Sequence, residues 1–149
     1  MSGFRSFMDQ ALVEARAAAL RGEVPVGAVL VQGGVVVARA GNRVRELCDP
    51  TAHAELLVIR AACAQAGSER LAAADLYVTL EPCPMCAAAI SAARVARLYY
   101  AAADEKSGGV AVGARVFSHP QCHHVPEVYD GIAAAEAEAL LKEFFAERR

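Results

Sequence analysis

A layered α/β fold is the first expectation from this chain, and two observations carry it. Apolar, valine-rich runs alternate with stretches of helical periodicity, in the order helix, hairpin, helix, strand, helix, strand, helix. The 149 residues are one domain's worth, 1–149, and a hydrophobic content of 56% is ample for a filled core.

Each element has its own signal. Phe4 to Arg21 reads as a helix because Phe7, Met8, Leu12, Val13, Ala15 and Ala19 recur near helical spacing, with Gly22 as the stop. Val24 to Val31 is a strongly apolar strand. Gly33-Gly34 joins it to a second strand, Val35 to Ala40, in a hairpin. Gly41 to Pro50 is polar and loop-like, and Thr51 is placed to cap a helix from Ala52 to Ala66. Asp75 to Leu80 is β-rich. Pro82 and Pro84 suit a helix start, and Met85 to Ala93 is helix-prone. Val95 to Ala101 reads as a strand, and Ile132 to Arg148 as a closing helix. Glu105 to His119 is glycine-rich and carries no assignment. A helix links the two strands after the hairpin, which predicts that they pair in parallel.

Composition narrows the class. The chain opens Met1-Ser2-Gly3-Phe4 without a basic-then-apolar leader, and no apolar run reaches the ~18 residues of a membrane span. These features predict a cytoplasmic protein with no membrane partner. An odd count of five cysteines predicts free thiols rather than a disulfide framework. The formal net charge of −2 supplies no global attraction for nucleic acid, so any such partner must be held by a local basic patch.

The chemistry concentrates in two segments, Thr51-Ala52-His53-Ala54-Glu55 and Pro82-Cys83-Pro84-Met85-Cys86. His53, Cys83 and Cys86 make an N/S₂ donor set that suits zinc and leaves a fourth position open, as a catalytic site requires. Cys83 and Cys86 are three apart and share a helix face. A helix start favours their thiolates. Taken alone, the cysteines also read as a redox pair or as buried structural residues. His53 and Glu55, two apart, approach one metal only if His53 sits in an irregular first turn. With zinc in place, Glu55 is expected to take a proton from the activated water, a role an apolar pocket would assist by raising its pKa. Val24, Pro25, Val26, Gly27 and Ala28 could line that pocket, with Gly27 letting backbone approach a flat base, though for the valines a plain buried strand is the preferred reading. Asn42 reads as either a turn residue or a group for a purine edge. Cys122-His123-His124 offers a second, weaker metal motif without a complementary cluster.

The spacing H-x-E…P-C-x-x-C is the known signature of zinc nucleobase deaminases. Around it stand Glu23-Val24-Pro25-Val26-Gly27-Ala28-Val29, Gly41-Asn42-Arg43, Asp49-Pro50-Thr51-Ala52-His53-Ala54-Glu55 and Leu76-Tyr77-Val78-Thr79-Leu80-Glu81-Pro82-Cys83. Asp104 to Gly108 and the closing Phe144-Phe145 with Arg148-Arg149 fit as well. Over nearly its whole length the chain resembles the bacterial tRNA adenosine deaminases of the TadA type, within the cytidine-deaminase-like superfamily. That resemblance implies a three-layer α/β/α fold with a mixed five-stranded sheet, a homodimer and one zinc per chain. It implies hydrolysis of the wobble adenosine of an arginine tRNA to inosine. It carries zinc binding to His53, Cys83 and Cys86, proton shuttling to Glu55, and base contact to Asn42 and the Ala54 backbone amide; Val26, from the pocket segment, is expected among the substrate-binding residues. The Asp104 to Gly108 loop with Lys106, and Arg148 and Arg149, are expected to touch the anticodon stem-loop. A free-base or nucleoside deaminase would share the zinc site. A zinc-stabilised RNA-binding module would have no use for Glu55 or the open position.

Overall fold

The computed structural model describes residues 6–148. The elements are α1 (Met8–Leu20), β1 (Gly27–Gln32), β2 (Val35–Gly41), α2 (Ala54–Ala66), β3 (Ala74–Leu80), α3 (Pro84–Ala92), β4 (Arg97–Ala102), a short 3₁₀ turn (Val116–Ser118), β5 (Glu127–Asp130) and α4 (Ala134–Ala146). The five strands form one mixed sheet in the order β2-β1-β3-β4-β5. β1 pairs antiparallel with β2 and β3, while β3, β4 and β5 run parallel.

Strand alternation explains the three layers. Ala28, Leu30, Leu76, Val78, Leu98 and Tyr100 point to one face, where α2 and α3 supply Val58, Ile59, Ala62 and Ile90. Val29, Val31, Tyr77 and Tyr99 point to the other, where α1 supplies Met8, Ala11 and Leu12 and α4 supplies Ala137. Leu30, Leu76 and Leu98 are fully buried, so truncating any of them to alanine costs about 2–5 kcal/mol.

Boundaries move where tertiary contacts override local pattern. β1 begins at Gly27 rather than Val24, because Val24 and Val26 turn toward the cavity beside the two helix starts that hold His53 and Cys83. Gly27 serves α1, not a base: a Cβ there would lie 2.0 Å from the Ala11 carbonyl oxygen. Thr51 does not cap α2. Its Oγ1 donates to Asp49 Oδ1 at 2.7 Å, and His53 occupies the N-cap position with extended backbone. Gly22 ends α1 as expected, with φ +85°. β5 has no counterpart in the local sequence pattern. Its four residues are all exposed, so no alternation marks it. Tyr129 of β5 stacks on Tyr99 of β4, which stacks on Tyr77 of β3, at ring-centroid distances of 5.1 and 4.4 Å. Phe4 and Arg5 of the expected first helix, and Arg149, lie outside the described residues.

Candidate metal centre and its pocket

Two helix starts meet at the site. His53, with φ −76° and ψ 150°, stands just outside α2, while Cys83, with φ −71° and ψ 170°, stands just outside α3, with Pro84 at the first helical position. Because His53 is not yet helical and Glu55 is, the two side chains reach one site despite being two residues apart. His53 Nδ1 lies 3.6 Å from Cys83 Sγ and 3.5 Å from Cys86 Sγ. Tetrahedral zinc with ordinary Zn–N and Zn–S bonds sets a nitrogen and a sulfur donor about 3.6 Å apart, which both histidine-to-cysteine separations match, and all three donor atoms lie within 4.8 Å of one another. Among the described residues this is the one group of three or more histidine, cysteine or acidic side chains able to hold a metal ion.

The electrostatics agree with a thiolate site. The hydrogen bond from Cys86 and the bond to His53 push the Cys83 thiol down to about 4, against the opposing effect of burial. Cys86 is driven upward, first by its bond to the Cys83 thiolate and then by burial. His53 is raised by its bond to Cys83. Metal binding would release the shared proton. Glu55, 4% exposed, is raised to about 7 by burial, which outweighs the bond from its own backbone amide and the nearby imidazole.

His53 and Cys83 face a cavity of about 440 Å³, lined among others by Val26, Asn42, Glu55 and Asp104, while Cys86 is buried behind them. Pro25, Gly27 and Ala28 do not line it. Asn42 Oδ1 accepts the Ala54 N–H at 2.8 Å, so Asn42 supplies the cap expected of Thr51 and both residues are held by that bond. The Ala54 amide is thereby engaged within the protein, and Asn42 keeps its Nδ2 donors for the cavity. Asp104 Oδ1 accepts the N–H groups of Lys106 and Ser107 at 3.2 and 3.0 Å. Lys106 itself is exposed and outside the lining. Arg148 lines the cavity with its guanidinium 3.6 Å from the centroid of the Phe144 ring. It is therefore a tethered cation rather than a freely solvated helix end.

Two lining residues, Glu23 and Glu81, have no role that their place in the sequence suggests. Each is 2% exposed. Glu23 accepts the N–H groups of Arg45 and Glu46 at 3.1 and 2.8 Å, pinning the loop that follows Asn42. Glu81 accepts those of Asp104, Val110 and Ala111. Both stand in segments that carry the family resemblance, but their partners lie 22 to 30 residues away. Cys122-His123-His124 is used otherwise than as ligands. The Ser91 hydroxyl and the Cys122 thiol both donate to the His124 carbonyl, at 2.6 and 3.1 Å.

A mixed five-stranded sheet with an N/S₂ donor set at two helix starts defines the class of cytidine-deaminase-like zinc enzymes. The family model for the cytidine and deoxycytidylate deaminase zinc-binding region matches residues 1–102. A tRNA-specific adenosine deaminase of Agrobacterium fabrum is 63% identical over 96% of this chain and 94% of its own length. A chain solved in a study of A-to-I editing by tRNA:A34 deaminases superposes with a TM-score of 0.89 at 64% identity, covering 91% of this chain and 98% of that one. Guanine deaminase of Bacillus subtilis superposes with a TM-score of 0.66 at 32% identity, covering 99% and 94%. The chain belongs to the tRNA-specific adenosine deaminase family, and it is a hydrolase. Among the described residues no helix is long and apolar enough to cross a membrane.

Proposed function

We propose that residues 1–149 form a single deaminase domain that converts the wobble adenosine of an arginine tRNA to inosine, releasing ammonia. The observation that carries this reading is a buried carboxylate, Glu55, raised toward neutral pH and lining the same cavity as His53 and Cys83 of the metal-binding trio. That trio would hold one zinc per chain, and zinc there supplies Lewis acidity that makes hydroxide available near neutral pH.

The chain's own residues do the rest. Glu55 accepts a proton from the incoming water, passes it to the purine ring, and delivers the second proton to the departing ammonia. Water supplies both protons and the new oxygen, so the reaction balances. Burial keeps the carboxyl near the working pH for that exchange. Asn42 offers its Nδ2 donors to the base edge, Val26 packs on its face, and the Ala54 amide holds Asn42 in place. The cavity admits a flipped nucleotide. Asp104, Lys106, Arg148 and Arg149 are assigned to the anticodon stem-loop. The enzyme acts as a cytoplasmic homodimer.

The deciding assay offers zinc-loaded protein a transcribed arginine tRNA anticodon stem-loop, free adenosine, cytosine and guanine in parallel. Inosine formed in the stem-loop alone supports the reading. Turnover of guanine instead would favour the small-molecule chemistry of the guanine deaminase relative.

A further inference from the structure

Glu81 has no part in the chemistry above, yet it is buried between the metal-binding turn and the glycine-rich loop 104–111. Its Oε1 accepts the Asp104 N–H at 3.1 Å, and its Oε2 accepts those of Val110 and Ala111 at 3.2 and 2.9 Å. The Gly109 N–H donates to the Pro82 carbonyl at 2.8 Å. The two glycines permit this packing. A Cβ on Gly108 would lie 2.5 Å from Glu81 Oε2, and one on Gly109 would lie 2.5 Å from Pro84 N. The loop has no helix or strand of its own. It is folded around one carboxylate and seated on the turn that carries Cys83.

A carboxylate suits this place because it accepts at several sites and donates at none. Three amide donors converge on it away from water, where each bond is strong and each loss is costly. The same loop brings Asp104 and Ser107 to the cavity and leaves Lys106 at the surface.

We propose that Glu81 is a positioning residue for RNA specificity: it sets loop 104–111 in register with the metal turn, so that the groups facing the stem-loop stand at a fixed distance from the reacting base. This rests on the tRNA reading for its substrate, though not for its geometry.

The test uses the zinc-loaded full chain carrying E81Q, G108A or both. Glutamine replaces one acceptor oxygen with an NH₂ group facing N–H donors, and alanine at 108 presses a methyl onto both the carboxylate and the Asp104 carbonyl oxygen of the same loop, each 2.5 Å from the new Cβ. For each single variant, KM for the transcribed stem-loop should rise roughly tenfold or more while kcat falls by less than about threefold, at unchanged zinc content. The double variant should be no worse than the worse single one, because both disturb the same carboxylate-to-loop packing. If E81Q fails to fold, G108A carries the same measurement. An unchanged KM, a fall in kcat alone, or multiplying effects would overturn the proposal. Should the parent protein leave the stem-loop untouched, the substrate reading fails by itself. Amide exchange then decides the positioning role: Asp104, Val110 and Ala111 should exchange faster in E81Q while β3 holds, and unchanged exchange refutes it.

Discussion

Glu55 and Glu81 are the same residue type, similarly buried, and line the same cavity, but their surroundings differ. Glu81 meets three backbone N–H groups from a distant loop. Glu55 has one backbone N–H, its own, and the Cys86 thiol to bond, with the His53 and Cys83 charges nearby, and burial dominates its titration. A buried carboxylate with enough fixed donors becomes part of the framework. One left short of them keeps its proton within reach of neutral pH and can trade it. The side chain does not decide between the two fates; the number of amides aimed at it does.

The most forceful way to break this comparison is to remove the mobile proton. Glu55→Ala should retain one zinc per chain, measured by elemental analysis, while single-turnover deamination falls by about 10²–10⁴-fold. Zinc lost in proportion to activity would make Glu55 a ligand and erase the contrast.

Titration sharpens the same point. In zinc-stripped protein the folded state holds the Glu55 proton more tightly than the unfolded chain, whose value is the ordinary 4.5. Stability from this group is therefore complete below about pH 4.5 and declines as pH rises through the folded value of about 7. Glu55→Gln should remove that decline and leave the stripped protein about 3 kcal/mol more stable at pH 8. Urea denaturation at pH 5 and pH 8 measures it, and parallel pH profiles for both proteins would sink the account.

Asn42 separates binding from support. Asn42→Ala leaves the Ala54 N–H without its acceptor and removes the Nδ2 donors, so both stability and deamination should fall, each by about 1–3 kcal/mol. Asn42→Asp keeps an acceptor for Ala54, so its melting temperature should recover while its kinetics stay impaired. A variant pair that loses stability and rate in fixed proportion would reduce Asn42 to a cap.

The smallest effect belongs to the C-terminal arginines. Replacing Arg148 and Arg149 together should flatten the log–log salt dependence of stem-loop binding by about one unit for each phosphate that the variant no longer neutralises. A salt slope identical to that of the parent would take the tail out of the binding surface.

The metal centre is legible in the sequence because its signal is local and chemical. Two segments hold every donor, and type and spacing alone mark His53, Cys83, Cys86 and Glu55. The apolar strands β1, β3 and β4, the hairpin partner β2 and the four helices are legible for the same reason. Thr51 misleads because a capping side chain is sought beside its helix, whereas Asn42 reaches Ala54 from 12 residues upstream. Gly27 misleads because a missing Cβ makes room for whatever lies opposite, here α1. β5 is too short and too exposed to leave a pattern. Glu23 and Glu81 stand in recognisable segments with no visible purpose, since a framework carboxylate is defined by amides far away in the chain.

The tyrosine stack has a practical consequence in spectroscopy. The chain contains four tyrosines and no tryptophan. Three of the four, Tyr77, Tyr99 and Tyr129, overlap as one column across β3, β4 and β5, and Tyr100 is buried on the other face of the sheet. Near-ultraviolet dichroism of this protein should therefore be dominated by coupled tyrosine rings, and detachment of the short outer strand should register as loss of that coupling. The molecule carries a built-in optical reporter for the docking of its own sheet edge, readable without any label.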